Sequence, residues 1–281
     1  MEHIRPPFVA GSFYPSDADE LRGLIDECFD SNLLGPRAVK TTLSLVGGMV
    51  PHAGYVFSGP CAAHLYAHFD HSVQRVILLG VNHRARGHRA ALSPWDAWQT
   101  PLGAVPVDRE LNDFLAARVS FLQKDKSAHA GEHSIEVQLP FLQRVVGDFT
   151  FLPISLSSLS ADETAELGAV IAETCKTETD SKTRSLILAS SDLSHYLPPK
   201  ETYVLDRMAL ERMLAIDAPG LLRVVEKENI TMCGALPAAV LLVAANHLGA
   251  KRSRLLKHYH SGDVSPMRKV VGYASVAFEM V

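Results

Sequence analysis

The chain has 281 residues, of which 47% are hydrophobic and 21% are charged, and its formal net charge is −4. Such a chain buries a substantial core, as one large domain or two small ones. It has no long basic run, which argues against a nucleic-acid-binding surface, and we interpret the short cluster RARGHR at residues 84–89 as a solvated loop.

Helices and strands alternate along the chain, with no low-complexity linker and no repeat. The stretch SDADELRGLIDECF predicts a first helix, capped by Ser16 and with its apolar positions at helical spacing. Apolar runs predict strands at Leu43–Val50, Arg75–Gly80, Phe149–Leu156, Ser185–Ser190, Leu255–Tyr259 and Val270–Phe278. Further helices are predicted at Pro60–Phe69, Arg109–Ala117, Ser134–Val146, Ala161–Cys175, Glu201–Ile216, Pro219–Lys227 and Leu236–His247. This pattern predicts a single α/β domain that spans residues 1–281 and has three layers, with helices on both faces of a central sheet. Because the late strands follow one another closely, we expect part of this sheet to be antiparallel and the sheet therefore to be mixed.

Polar residues follow three of the predicted strands where each strand ends. His52 comes after the first strand, and His83 comes three residues after Gly80. Asp192 and His195 follow the strand that ends at Ser190. Because the carboxyl ends of parallel strands share one edge of a sheet, we expect these side chains to converge there.

Cys233 precedes the helix that Leu236 and Pro237 are expected to open. A helix N-terminus lowers the pKa of a nearby thiol, which prepares a thiolate for metal ligation or nucleophilic attack. The alternative is a buried core cysteine, since free cysteine is among the most buried residue types.

The segment GEHSIEVQLPFL contains three polar residues whose roles the sequence leaves open. Glu132 and Glu136 are four residues apart and share a helical face if the helix begins early enough. His133 is placed to donate to a substrate. The alternative is a capping arrangement of acids in a first helical turn.

Two further clusters resemble metal sites in spacing alone. Cys61, His64 and His68 share the face of a predicted helix, but a packed cysteine with partly exposed histidines is the interpretation we adopt. His258 and His260 in HYHSGD lie on one face of a strand, and we assign them to the lining of a substrate pocket. No GxxxxGK[ST], GxGxxG or GxSxG motif is present. The sequence therefore gives no support for a nucleotide-binding loop or for the nucleophile elbow of an α/β-hydrolase.

The cysteine content and the apolar runs bear on the compartment. The four cysteines are widely scattered and form no CxxC pair, which disfavours a disulfide scaffold or a structural zinc knuckle. The N-terminus MEHIRPPFVAGSFYP lacks the apolar core of a signal peptide, so we expect a cytoplasmic location. The longest apolar run, residues 233–245, contains a proline and is too short to span a bilayer, so we expect no membrane association.

Several motifs, in this order, resemble those of the Memo family: VAGSFYP, PHAGYVFSG, GVNHR, EHSIEVQLPFL, SSDLSH, MCGALP, YHSGD and VVGYAS. The resemblance runs from Arg5 to the C-terminus. It implies the fold of the class III extradiol ring-cleaving dioxygenases, which hold non-haem iron(II) with two histidines and a glutamate. In the Memo pattern the metal site is two histidines and a cysteine, which correspond here to His52, His83 and Cys233.

The resemblance also implies roles for the surrounding residues. Iron(II) is the expected metal, although a thiolate in place of a carboxylate also suits zinc or copper. Asp192 and His195 lie beside the metal as an acid–base pair, or Asp192 orients a histidine ligand through its second ring nitrogen. His133 is the third candidate catalytic residue. The candidate substrate-binding residues are Tyr55, Glu132, His258 and His260.

Three functions follow from these observations. The first is a non-haem iron oxygenase or related redox enzyme that acts on a small phenolic or similar substrate. The second is a non-catalytic protein that binds a metal or a peptide on a dioxygenase scaffold, and the third is a cysteine hydrolase with Cys233 as nucleophile. The resemblance also implies peptide partners and, in prokaryotes, neighbouring AMMECR-type and radical SAM proteins.

Overall fold

A computed structural model describes residues 3–30, 34–36, 43–177 and 184–280. The strands in these ranges are β1 (Ile4–Arg5), β2 (Leu45–Val50), β3 (Val73–Val81), β4 (Ala90–Leu92), β5 (Ala97–Thr100), β6 (Gly103–Pro106), β7 (Gln123–Lys124), β8 (Thr150–Leu156), β9 (Arg184–Ser190), β10 (His195–Leu197), β11 (Arg252–His260) and β12 (Val270–Glu279). The helices are α1 (Ala18–Asp30), α2 (Tyr55–Tyr66), α3 (Arg109–Arg118), α4 (Ser127–Ala130), α5 (Leu139–Val145), α6 (Ala161–Thr177), α7 (Pro199–Leu214), α8 (Ala218–Lys227), α9 (Ala235–His247) and α10 (Ser261–Val264).

The main sheet is mixed, as predicted. Its strand order is β10-β12-β2-β9-β3-β8-β4-β7, and β11 also pairs with β12. Strands β2, β9, β3 and β8 are parallel neighbours, whereas β12 runs antiparallel to both β2 and β11. The carboxyl ends of β2, β3 and β9 therefore meet at one edge, and each is followed by predicted site residues. A separate small sheet has the order β1-β5-β6.

Helices cover both faces of the main sheet, and the side chains of its strands alternate between two cores. Ile77 and Leu79 of β3 face a core that includes residues of α3, α6, α7, α8 and α9. Val76 and Leu78 face the opposite core, to which α1, α2 and α5 contribute. This alternation follows from the two-residue period of a strand. It confirms the predicted three-layer α/β/α arrangement.

The six predicted strands are all present, and their ends differ from the predicted ends by at most three residues. The short strands β1, β4, β5, β6, β7 and β10 were not predicted, because two to four residues carry too little periodicity to be recognised. In the described ranges, no helix is long and apolar enough to cross a membrane.

Two predicted helix starts were wrong for local reasons. Helix α2 begins at Tyr55 and contains Pro60, because the amides of Phe57 and Ser58 bond to the carbonyl of Gly54 and start the helix earlier. Helix α1 is capped by a neighbour of the predicted serine: the Asp17 carboxylate, not Ser16, accepts from the first amides of this helix.

The segment predicted as one helix, Ser134–Val146, is only partly helical. It forms a 3-10 turn at Glu136–Gln138, followed by α5. Glu132 does not share a helical face with Glu136, because the amides of His133 and Ser134 donate to the Glu132 carboxylate instead of starting a helix.

Candidate metal centre

His52, His83 and Cys233 come together at the carboxyl edge of the parallel strands. His52 follows β2, His83 follows β3, and Cys233 lies just before α9. The potential ligand atoms of the three residues lie within 4.8 Å of one another, and Nε2 of His52 is 3.1 Å from Sγ of Cys233. Two imidazoles and a thiol at these distances form a donor set suited to a first-row transition metal.

A glycine allows Cys233 to approach this edge. The amide of Gly234 donates to Ser191 Oγ at 3.0 Å, which ties the start of α9 to the end of β9. A Cβ atom at Gly234 would lie only 2.5 Å from the carbonyl oxygen of Ser190. A residue without a side chain is therefore required at position 234 if the thiol of Cys233 is to lie beside His52.

His52 is held from two sides. Its Nδ1 lies 2.9 Å from Ser190 Oγ, and its backbone amide donates to Asp192 Oδ1 at 2.8 Å. The expectation that Asp192 orients a histidine ligand through its second ring nitrogen is thus not met at His52, because Ser190 occupies that position. Asp192 instead fixes the backbone from which the ring projects.

His83 is held by Glu132. One carboxylate oxygen of Glu132 lies 2.9 Å from Nδ1 of His83, and the other accepts from the His83 amide at 2.9 Å. Burial by itself raises the pKa of Glu132, but its hydrogen bond with His83, the charges of His83 and His133, and the amide of Ser134 lower that pKa to about 2. A carboxylate behind a histidine ligand fixes the ring and increases its basicity. Glu132 is therefore placed to support His83 as a ligand, and its predicted substrate-binding role stays a prediction.

His52 and His133 are neutral near pH 7. Burial, followed by the neighbouring His133 and His83, holds the pKa of His52 well below its ordinary value. Burial likewise lowers the pKa of His133 to about 4. Neutral imidazole is the form that binds a metal.

The Cys233 thiol does not have the lowered pKa expected from its position before a helix. Burial, and then the charge of Asp192, raises the pKa of Cys233 above its ordinary value. Burial thus outweighs the helix N-terminus. A protonated thiol is a poor nucleophile, which argues against the cysteine hydrolase.

Asp192 contacts this group through the amide of His52, and His195 contacts Thr231. Burial raises the pKa of Asp192 to about 6, although the amide of His52 and the charge of His195 oppose this shift. His195 is half-buried, and its Nδ1 lies 2.8 Å from the carbonyl oxygen of Thr231. Because a carbonyl only accepts, Nδ1 of His195 donates and Nε2 is left as the basic atom.

His133 forms an aromatic wall beside the ligands. Its ring stacks on His83, with centroids 4.7 Å apart and planes 9° from parallel, and stands edge-on to His52 at 5.4 Å. Phe13, from the N-terminal segment, covers another part of the His133 ring at 4.7 Å. This segment is anchored by Glu136, which accepts from the amides of Phe8 and Val9.

His83, Glu132 and His133 also have potential ligand atoms within 4.8 Å of one another. The Glu132 oxygens, however, already accept from the His83 ring and from the amides of His83, His133 and Ser134. A carboxylate with these donors is better suited to support the site than to bind a second ion.

Three of the predicted substrate-binding residues have other contacts. The Tyr55 hydroxyl donates to the carbonyl of Val137 within the core, where it has no open face toward a substrate. Nε2 of His258 lies 3.0 Å from Asp206, and Nδ1 of His260 lies 3.0 Å from Asp263. His258 and His260 both contact the Tyr203 ring, as expected for two residues on one face of a strand.

Of the predicted cluster, Cys61 and His64 lie in α2 and have the predicted packed character, but His68 lies beyond the end of this helix, so the prediction that all three share a helical face was wrong. Cys61 is fully buried and lies against Ser275 and Tyr259. His64 is half-buried and its Nε2 lies 2.8 Å from the carbonyl of Leu34. These residues are absent from the candidate metal groups found in the described part of the chain.

Sequence reasoning missed Ser190 and the supporting role of Glu132. Ser190 was treated only as the last residue of a strand. A signal was available, because Ser190 ends β9 at the same edge of the sheet where His52 and His83 follow β2 and β3. Polar residues at such an edge are candidates for supporting a ligand as well as for binding one.

The Memo family profile, described as Memo-like protein, matches residues 5–277. A MEMO1 family protein of Methanopyrus kandleri is 42% identical over 98% of each chain, and one of Ignicoccus hospitalis is 41% identical over 99% of each chain. One of Methanococcoides burtonii is 39% identical over 97% of this chain and 99% of its own. A solved structure of an uncharacterized protein from Escherichia coli K12 matches 73% of this chain and 85% of its own at 14% identity, with a TM-score of 0.46 that is too low to bear on function or fold. On the profile and the relatives, this chain belongs to the Memo family.

Proposed function

We propose that this protein binds one first-row transition metal ion, iron(II), through His52, His83 and Cys233, and uses it in a redox reaction on a small phenolic or similar substrate. The observation that carries the proposal is the grouping of the three ligand atoms within 4.8 Å at one edge of the sheet. The likeness to ring-cleaving dioxygenases, a cytoplasmic location and AMMECR-type or radical SAM partners are parts of the same proposal.

The residues present fit a metal ion. Bonds of about 2.1 Å to imidazole nitrogen and about 2.3 Å to thiolate sulfur span at most about 4.4 Å between two donor atoms. The 3.1 Å between His52 Nε2 and Cys233 Sγ is well within this reach. Each histidine also has a buried partner on its Nδ1, as metal-binding histidines usually do.

The ion would supply Lewis acidity and, as iron(II), electrons for dioxygen. The chain's own residues would manage the proton of a bound phenol. His195 is the candidate base, because its Nε2 is left with a lone pair and the ring is close enough to influence the pKa of both His52 and Asp192. The rings of His133 and Phe13 would form an aromatic wall beside a planar substrate.

Anaerobic purification followed by metal analysis tests the binding step. We expect one metal ion per chain, since the two converging ligand sets share His83 and the Glu132 carboxylate of the second set already accepts from His83. Alanine at His52, His83 or Cys233 should abolish tight binding, whereas alanine at Cys61 or His68 should leave it nearly unchanged. Protein that lacks metal and also fails to bind iron(II) on reconstitution would overturn the proposal.

Oxygen uptake separates an enzyme from a binding protein. Consumption of dioxygen by the iron-loaded protein with a phenolic substrate, lost in His195→Ala but retained in Cys61→Ala, is the expected result for an enzyme. Tight iron binding with no uptake across a broad phenol panel would favour a non-catalytic metal-binding protein.

A further inference from the structure

Buried hydrogen bonds lie behind His52, on the side of its ring that faces away from Cys233. Nδ1 of His52 is 2.9 Å from Ser190 Oγ. The Ser190 hydroxyl lies 2.6 Å from the carbonyl oxygen of Ser134 and 2.8 Å from Nε2 of Gln138. Ser190 and Ser134 have no exposed surface, and Gln138 is 1% exposed. Each proton in this network must therefore be shared among protein atoms.

Two backbone carbonyls determine the direction of these bonds, because a carbonyl can only accept. The Pro51 carbonyl lies 2.9 Å from the side-chain nitrogen of Gln138. The side-chain amide of Gln138 must therefore point its NH2 group, not its oxygen, at this carbonyl. The Tyr66 hydroxyl then donates to Gln138 Oε1 at 2.8 Å, and the second amide proton of Gln138 goes to Ser190.

The Ser134 carbonyl takes the only proton that the Ser190 hydroxyl can donate. Ser190 therefore has nothing to donate to His52 and can only accept from it. The proton between the two residues must then belong to Nδ1 of His52.

We propose that Ser190 is a positioning residue that holds His52 in the Nδ1–H tautomer, so that the Nε2 lone pair is directed at the site shared with Cys233 and His83. A histidine in the other tautomer would direct a proton at that site and bind no cation. The inference concerns the protein without metal, and it goes beyond the proposed function because it stands whether or not a metal binds.

Ser134 also helps to hold the second histidine, His83. The amide of Ser134 donates to Glu132 Oε1 at 2.8 Å, and this oxygen lies 2.9 Å from Nδ1 of His83. A carboxylate accepts, so Nδ1 of His83 also donates. Ser134 thus supports one histidine through its carbonyl and the other through its amide. Gly80 permits this approach, since a Cβ there would lie 2.8 Å from Ser134 Oγ.

Histidine tautomers can be measured directly. We would record long-range proton–nitrogen NMR spectra of the metal-free protein labelled with 15N-histidine at neutral pH, and assign His52 by comparison with His52→Gln. The expected result is a single Nδ1–H tautomer of His52 in the unmodified protein. A dominant Nε2–H form, or an even mixture, would overturn the proposal whether or not any Ser190 variant folds.

Ser190→Ala tests the role of the hydroxyl, with Ser275→Ala as a matched control. Ser275 is also fully buried, and its hydroxyl also donates to a backbone carbonyl, that of Cys61, at 2.6 Å. We expect mixed His52 tautomers and cobalt(II) affinity lowered about 10–100-fold in Ser190→Ala, and neither change in Ser275→Ala. An unaltered tautomer in Ser190→Ala would overturn the role of Ser190. Failure of every protein to bind cobalt(II) would count against the proposed metal function, while the tautomer still decides this inference.

Discussion

Gly234→Ala should displace the cysteine of the candidate metal site. The added Cβ would lie 2.5 Å from the carbonyl oxygen of Ser190, where an ordinary contact needs 3.4 Å or more. Because the obstacle is backbone at the end of a central strand, the start of α9 must shift, by about 1 Å. Metal–ligand distances tolerate only about 0.2 Å, so a shift of this size removes Cys233 from the ligand set.

We expect the variant to lose about 100-fold in cobalt(II) affinity and about 1–3 kcal/mol in the free energy of unfolding. The first quantity comes from titration with cobalt(II), followed through the charge-transfer absorption of a thiolate–cobalt bond. The second comes from urea denaturation of the metal-free protein.

Gly23→Ala is the matched control. A Cβ at Gly23, in α1, would meet nothing within 4 Å, so this variant should be more stable by about 0.5–1 kcal/mol and bind cobalt(II) like the unmodified protein. Gly234→Ala with unaltered affinity and the same charge-transfer band would refute the reasoning, because the close approach would then not be needed to place Cys233.

Four other changes have defined outcomes. Glu136→Gln leaves the fully buried Arg5 guanidinium without its charge partner and should lower the free energy of unfolding by about 3–5 kcal/mol, measured by urea denaturation. Gly87→Ala, at a φ of +65° and against the Asp125 carboxylate, should cost at least about 1 kcal/mol in the same assay. Burial raises the pKa of the Cys233 thiol, so the thiol is protonated near neutral pH and a metal ion must displace its proton in order to bind. The apparent cobalt(II) affinity should therefore rise about tenfold for each unit by which the pH increases through neutrality, as measured by titration. Once the protein is loaded with iron(II), simple catechols should alter its spectrum but be cleaved slowly or not at all. Cys233→Glu, which introduces the carboxylate ligand type of the ring-cleaving dioxygenases, should raise oxygen uptake. Rapid uptake with ring-opened product by the unmodified protein would contradict this prediction.

The amino-acid sequence by itself determined the layers of the fold and the edge at which chemistry is concentrated. The apolar runs that became β2, β3 and β9 are local signals, and a parallel sheet places their carboxyl ends together. The positions of His52 and His83 after those strands follow from the same local pattern. The helix start at Tyr55 did not follow from it, because the Gly54 carbonyl accepts the amides of Phe57 and Ser58 and so starts the helix before Pro60. The helix start at Leu139 did not follow either, because the amides of His133 and Ser134 donate to the Glu132 carboxylate instead of starting a helix there.

Only the tertiary structure decided which atoms face each other at the candidate metal site. His52 is 138 residues from Ser190 and 181 residues from Cys233 in the chain, and no periodicity relates residues so far apart. The Cys233 pKa shows the same limit: a helix N-terminus is a local feature that lowers a thiol pKa, whereas burial, which raises it here, arises from elements packed around the site. Local patterns depend on backbone geometry over a few residues, but hydrogen-bond partners and burial depend on how distant segments pack, and these are settled only when the whole chain has folded.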